Sequence, residues 1–438
     1  MPAQQAPAMP ADVDRTVRAL IADGYTAGME IGLISPAGIS YFGYGKSSPS
    51  GDAAPDENTV YEIGSISKVF TGTLLADMVL RGEVGLEDPI QDYLPAGVTA
   101  PTRGGRAITL ESLATHRSGL PRVPANFAPA DFANPYADYT PEKMFEFLSG
   151  YQLPRDIGSA FEYSNYGMGL LGYLLARHEG KTYEGLLESR IADPLGLTST
   201  VVTLSPELRA RMATPTRMGR SVSNWDFTAL AGAGGIRSTA RDMAEWIAAN
   251  MGLRGSTLQL AMALAHQPRA AALGNTRTGL GWIAQPLAGH VVLWHNGGTG
   301  GYRSFAGFTH DGARGVVVLS NSVQSVDDIG LQLLVPSTSA PVDSAAVARY
   351  TGWYALPDST TLLVEWRAGQ LTYRSDNGER WVPLARLSEA EFERWPSPFP
   401  LRVTFLTDTG GAVTGLELRA PGGTKRTARR VAAGGSPD

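Results

Sequence analysis

Ser65 and Lys68 stand three residues apart at the head of the apolar stretch YEIGSISKVFTGTLL, residues 61–75. Residues at i and i+3 of a helix share a face, so hydroxyl and amine would be neighbours. An amine withdrawn from water gives up its proton, and a neutral amine beside a hydroxyl is a base beside a nucleophile. An N-capping serine followed by a solvent-facing lysine accounts for most isolated Ser-x-x-Lys pairs. Here the lysine is one of five in 438 residues, and the helix it begins is apolar almost all round. Burying a cation there is costly unless it has a task. Gly64 leaves room for close approach at the helix start.

Two further elements could join this pair. In FEYSNYGMG, Tyr163 and Asn165 bracket Ser164 in the only Tyr-x-Asn of the chain. Two residues apart on an extended turn, a phenol and an amide point the same way. Alone, the tripeptide means little, since a buried tyrosine beside a turn asparagine is common. His-x-Gly occurs three times. The pair His178 and Gly180 reads as a helix C-terminus, and His310 with Gly312 as a hairpin turn. Only His295 and Gly297, in HVVLWHNGGTGGYRSF, lie where a strand runs into glycines and a substrate could approach bare backbone.

Other chemistry is not written into the chain. There is no Gly-x-Ser-x-Gly elbow, no complete phosphate-binding loop and no His-Glu-x-x-His. The Gly-x-Gly-x-x-Gly at residues 167–172 follows no strand and reads as the small-residue face of a helix. Six scattered histidines and no cysteine give no metal spacing, thiol nucleophile or disulfide, and no cofactor is expected.

The elements that must position these residues follow from periodicity. A helix is predicted near Asp12, then two strands (GMEIGLIS, ISYFGYG) with a turn at Pro36 and Gly38. Helical patterns follow, the clearest being SKVFTGTLLADMVLRGE, PEKMFEFLSGY, SNYGMGLLGYLLARHEG and TARDMAEWIAANMG. Strand character returns at GLGWIAQP, HVVLWHNGG, YRSFAGFTH and RGVVVLSNS. The simplest packing is one antiparallel sheet built from both ends of this region, with helices on its faces and in a separate lobe. After VPSTSAPVDSAA the chain reads as short strands and turns. The expected organisation is a disordered segment over 1–12, a main domain over 13–336, a linker over 337–345 and an antiparallel β-barrel-like domain over 346–432.

A formal charge of -5 leaves no global basic field for nucleic acid or an anionic membrane. No run of about 18 apolar residues provides a transmembrane segment. The start MPAQQAPAMPAD lacks the basic and apolar regions of a signal peptide. Localisation therefore stays open: periplasmic or secreted if a signal peptide was removed, cytoplasmic otherwise. Oligomeric state is equally open.

Ser-x-x-Lys, then Tyr-x-Asn, then His-x-Gly, in that order, resembles the serine β-lactamase and penicillin-binding protein superfamily, in its class C-like branch with D-peptidases and esterases. The segments GEVGLEDPIQDYLP, ITLESLATHRSGLP, AGAGGIRSTARDMAEW and TGLGW agree, and the likeness covers about residues 13–335. The resemblance implies an α/β (α+β) fold of the β-lactamase/transpeptidase type and an acyl-enzyme mechanism on a small-molecule or peptide substrate. It implies Ser65 as nucleophile, Lys68 as proton acceptor, Tyr163 as proton relay and Asn165 as a contact to the substrate carbonyl. The amides of Ser65 and Gly298 would form the oxyanion hole, beside the turn of Gly297. The C-terminal strands loosely resemble the β-barrel appendages of some D-aminopeptidases.

His295 takes the place of the lysine of true class C enzymes. A histidine is the weaker cation at pH 7, so esters and D-amino acid peptides or amides are expected to be hydrolysed better than cephalosporins. If His295 meets a carboxylate with an ordinary pKa of about 6.5, activity on acidic substrates should rise below that pH. Arg303 is a second candidate for that contact. The alternatives are a true β-lactamase and a penicillin-recognising sensor that is acylated without turnover.

Overall fold

In the computed structural model, residues 5–336, 342–376, 381–394, 401–420 and 423–432 are described. Residues 1–4 of the expected N-terminal segment and 337–341 of the expected linker lie outside them.

Two compact units emerge, one dominated by Thr26–Val326, the other formed by Met9–Tyr25 with the chain from Asp327 onward. The expected 13–336 boundary therefore differs from the structure at both ends. The first helix, Ala11–Ala22, buries Val13, Val17 and Leu20 within the second unit. Gln332, on the helix Asp327–Leu334, donates to Asp12 at 2.7 Å, and Arg367 of the barrel grips Asp23 with bonds of 2.7 and 2.8 Å. An apolar helix stripe and a paired guanidinium outweigh proximity along the chain.

The first unit is built on an eight-stranded antiparallel sheet. Its order is Gly38–Gly45, Gly28–Ser35, Gly315–Ser320, Arg303–Thr309, His290–Gly298, Ile283–Leu287, Arg277–Thr278, Ala270–Ala271. Strands from both ends of this region meet at its second and third positions, with Ile31 opposite Val318, as the hydrophobic runs require. Gly315–Ser320 is buried throughout, so its run of valines needs no polar alternation. The helix Ala240–Asn250 covers one face, and its Trp246 stacks on Phe70 at 4.2 Å. Phe70 belongs to the helix Ser67–Leu80, buried from Ser67 to Met78. Burying each such aromatic contributes roughly 1.5–3 kcal/mol.

In the second unit, eight strands from Gly352–Ala355 to Lys425–Val431 close into a barrel, with Trp353 on the first opposite Val431 on the last. Tyr350 and Phe405 stack inside at 4.4 Å, and Phe392 meets Phe405 edge-on. Among the described residues no helix is long and apolar enough to cross a membrane.

Candidate active site

From Tyr61 to Met78 every residue is buried except Ser65. It lies in the 3-10 turn Gly64–Ile66 that leads into the helix Ser67–Leu80. That turn needs its glycine twice over. Gly64 has a φ of +52°, and a Cβ there would stand 2.6 Å from the nitrogen of Gly298. The strand His290–Gly298 thus lays its last amide against the backbone of the turn that carries Ser65. Gly297 makes the same close approach, since a Cβ there would meet the Ile63 carbonyl at 2.0 Å. Ser67 points elsewhere: its hydroxyl donates to the Gly64 carbonyl at 2.8 Å and accepts from Ile236 N–H.

Lys68 is fully buried, and its Nζ lies 3.0 Å from Ser65 Oγ, 3.0 Å from Asn165 Oδ1 and 2.6 Å from the Ala233 carbonyl. Burial holds the amine well below the ordinary lysine range, and the charge of Arg122 presses the same way. A neutral amine has two N–H groups and one lone pair. Asn165 and Ala233 offer two carbonyl acceptors, and the hydroxyl of Ser65 can donate to the lone pair. No carboxylate competes for Nζ among these contacts.

Tyr163 and Asn165 converge because of the serine between them. Ser164 is extended and caps the helix Asn165–His178: its Oγ accepts from Gly167 N–H at 2.8 Å and donates to the Pro121 carbonyl at 2.6 Å. The flanking side chains both point toward Lys68, whose Nζ lies 4.9 Å from the centre of the Tyr163 ring. Burial pushes the Tyr163 phenol up to about 12, against the pull of the Ser65 side chain and Arg122. Near neutral pH the phenol therefore keeps its proton.

His295 also joins the cluster, its ring 6.2 Å from that of Tyr163, but as a different species from the expected weak cation. It is 2 % exposed and its Nδ1 sits 2.6 Å from the carbonyl of Asn296, which can only accept. Nδ1 therefore carries the proton and Nε2 the lone pair. Burial, with Lys68 beside it, drives the imidazole down to about 3. The expected rise on acidic substrates below pH 6.5 is thereby withdrawn, because the ring gains its proton only near pH 3. The ratio of kcat/KM for a carboxylate-bearing ester to that for its neutral analogue should stay flat from pH 8 to pH 5. A ratio that climbs through pH 6.5 would restore the cationic histidine.

Two residues of this site carry no sequence motif. His116 lies on Tyr163 with ring centres 4.5 Å apart, and its Nδ1 accepts the Ser164 N–H at 3.1 Å. Arg122 carries its guanidinium 4.9 Å from the same ring, while its carbonyl takes the Asn165 and Tyr166 amides. Both fall in or just beyond the segment THRSGLP, so the signal was a connection rather than a spacing. Beside them Tyr136 stacks on Phe227 at 4.5 Å, and Trp225 closes the aromatic group. The wall is pinned at its backbone: Glu62 Oε1 accepts the Trp225 N–H at 2.7 Å, and Arg237 reaches the Trp225 carbonyl and Asp226.

The remaining motifs behave as plain structure. His178 ends its helix ahead of Gly180 at φ +64°, and Gly312 turns the hairpin after His310. The glycines of 167–172 serve packing, since a Cβ on Gly169 would strike Leu230. Among the described residues no group of three or more His, Asp or Glu could hold a metal ion.

Comparison with known proteins gives a consistent picture. The family model described as Beta-lactamase matches residues 13–340. The D-alanyl-D-alanine-carboxypeptidase/endopeptidase AmpH of Escherichia coli (strain K12) is 35% identical over 237 residues, 54% of this chain and 60% of that protein's length. A Beta-lactamase of the same organism is 30% identical over 345 residues, 70% of this chain and 88% of its own. Among solved structures, the Beta-lactamase/D-alanine carboxypeptidase from Yersinia pestis, complexed with citrate, superposes with a TM-score of 0.62 at 24% identity. That superposition covers 72% of this chain and 94% of the other, and it bears on the fold alone. With the family model spanning the unit that gathers Ser65, Lys68, Tyr163 and Asn165, the chain belongs to the Beta-lactamase family.

Proposed function

We propose that the protein is a serine hydrolase that cleaves ester or amide bonds through an acyl-enzyme on Ser65. The observation that carries this reading is the buried Lys68 amine, held toward its neutral form, 3.0 Å from the hydroxyl of Ser65, the one residue between Tyr61 and Met78 that is not buried.

Ser65 Oγ attacks the substrate carbonyl as its proton passes to Lys68 Nζ. The carbonyl π pair moves onto oxygen, where the amides of Ser65 and Gly298 donate to it; each such donor is worth roughly 3–4 kcal/mol. Asn165 and Gly297 border the carbonyl's approach. When the tetrahedral species collapses, the leaving oxygen or nitrogen takes a proton from Tyr163, which regains one from Lys68. Water then attacks the acyl ester and gives its proton back along the same path. Ser65 is restored and an acid released, so each turnover consumes one water. Tyr163 relays rather than abstracts, because its phenol stays protonated near neutral pH.

Within that chemistry we favour esters and D-amino acid peptides or amides. A neutral His295 offers no cation where the class C lysine stands, and the AmpH relative bears a D-alanyl-D-alanine-carboxypeptidase name. β-Lactam hydrolysis is the alternative, favoured by the Escherichia coli relative named Beta-lactamase. The test is intact-mass labelling by a fluorophosphonate: the adduct should form on the wild type and on Ser67→Ala and be absent from Ser65→Ala. An adduct that survives Ser65→Ala removes the assignment. Nitrocefin turned over faster at pH 7 than both p-nitrophenyl butyrate and a D-alanyl anilide would favour the alternative, and acylation by penicillin without release would mark a sensor.

A further inference from the structure

Burial drives both Lys68 and His295 toward their neutral forms, so neither is suited to hold a substrate anion. Arg303 is committed locally: its Nη1 donates to the carbonyls of Thr299 and Tyr302 at 3.1 and 2.9 Å. Arg237 is buried and paired with Asp226. Arg155, at the approach to the tyrosine loop, is paired with Glu162.

Arg122 is in another state. It is exposed, and among the described residues its guanidinium makes no hydrogen bond or ion pair. What it has is a cation–π seat on the Tyr163 ring, 4.9 Å from the centre. Its position is not left to chance. The Arg122 carbonyl receives the Asn165 amide at 3.0 Å and the Tyr166 amide at 3.3 Å, so its backbone is tied to the start of the helix that presents Asn165. Its charge is felt by Lys68, His116, Tyr136 and Tyr163, which together line the site. A planar, permanently charged guanidinium with free donors is suited to a carboxylate, which it can take in two parallel bonds.

We propose that Arg122 is a specificity-determining residue, selecting substrates that carry a carboxylate within reach of the Tyr163 ring. This rests on the acyl-hydrolase reading and adds the class of substrate: an ester or amide with an anionic arm. Because the guanidinium is exposed in the free protein, the gain is set below that of a buried pair, at about ten-fold in kcat/KM.

The test compares charge-matched pairs on the full chain. p-Nitrophenyl hydrogen glutarate against p-nitrophenyl valerate probes the acyl side, and 4-acetoxybenzoate against its methyl ester probes the leaving-group side. In the wild type at least one anionic member should be preferred beyond its intrinsic reactivity. That preference should fall about ten-fold in Arg122→Ala, appearing mainly in KM, and be partly regained in Arg122→Lys. Added sodium chloride should weaken it in the wild type and leave Arg122→Ala unmoved. Unchanged ratios in both pairs would overturn the proposal. So would an equal loss on neutral and anionic members, which would mean that Arg122 acts through Tyr163 alone. If Arg122→Ala fails to fold, Arg122→Gln and the salt dependence of the wild type decide the same question. Labelling of Ser65 by a neutral fluorophosphonate reports separately on the hydrolase reading: a labelled enzyme with no charge preference sinks only the role of Arg122, whereas an unlabelled one sinks both.

Discussion

Lys68→Ala and Tyr163→Phe should each lower kcat/KM for an activated ester by about 10²–10⁴, and the double variant should be little worse than either. The two residues share one proton path. Lys68 can accept the Ser65 proton because burial keeps its amine toward the neutral form. Tyr163 cannot replace it as a base near neutral pH, since its phenol is pushed up to about 12. Removing the amine leaves the relay nothing to carry, and removing the phenol strands the proton on the amine. The sign of the pH dependence follows. A base works when deprotonated, so the rise of acylation with pH should lie well below the ordinary lysine range. An unburied lysine would still be climbing above pH 9. Stopped-flow acylation of the four proteins checks both points. Losses that multiplied in the double variant would mean two independent roles.

How much of this site was legible beforehand depends on how each residue declares itself. Ser65, Lys68, Tyr163, Asn165 and His295 could be read because short spacings on one helix face or one turn are local geometry, and the structure gathers all five. Arg122 and His116 could not, because their approach to Tyr163 is fixed by the fold of a connection between helices. The state of His295 was misread for a related reason. Its identity is in the sequence, but its protonation is set by burial and by the Asn296 carbonyl. In the fold, the hydrophobic runs of the large sheet announced themselves. The strand Lys425–Val431 that closes the barrel did not, since only Ala428 of its seven residues is buried. Closure needs its backbone donors and acceptors rather than its side chains, and those leave no mark on hydropathy. The helix Gln259–His266 was likewise missed, being short and without an N-capping side chain.

Glu30 should contribute a stability that fades as pH rises from about 5 to 8.5, so the difference in stability between Glu30→Gln and the wild type should move in the variant's favour across that range. Glu30 lies on the strand Gly28–Ser35, is 1 % exposed, and has no partner for Oε2 among the described residues. Burial raises its carboxyl to about 8; Glu57 and Asp56 reinforce the shift, and the Phe42 backbone opposes it. The nearby Tyr61 hydroxyl is itself buried without a hydrogen-bond partner among the described residues. The folded pKa lies above the unfolded value of 4.5, so the folded protein holds this proton where the unfolded chain has released it. The contribution is therefore complete below about pH 4.5 and is lost as pH climbs through about 8. A shift of that size corresponds to about 5 kcal/mol between the two limits. Glu62, raised by burial to about 7, adds a smaller term of the same sign. Glutamine keeps the shape and cannot ionise, so the melting temperature of Glu30→Gln relative to the wild type should rise from pH 5 to pH 8.5, while the opposite slope from the buried Lys68 and His295 is common to both proteins. Thermal unfolding of both proteins at five pH values across this range decides it. A difference between the two proteins that does not change with pH would mean that Glu30 is ionised in the fold, with a counter-charge or water satisfying Oε2.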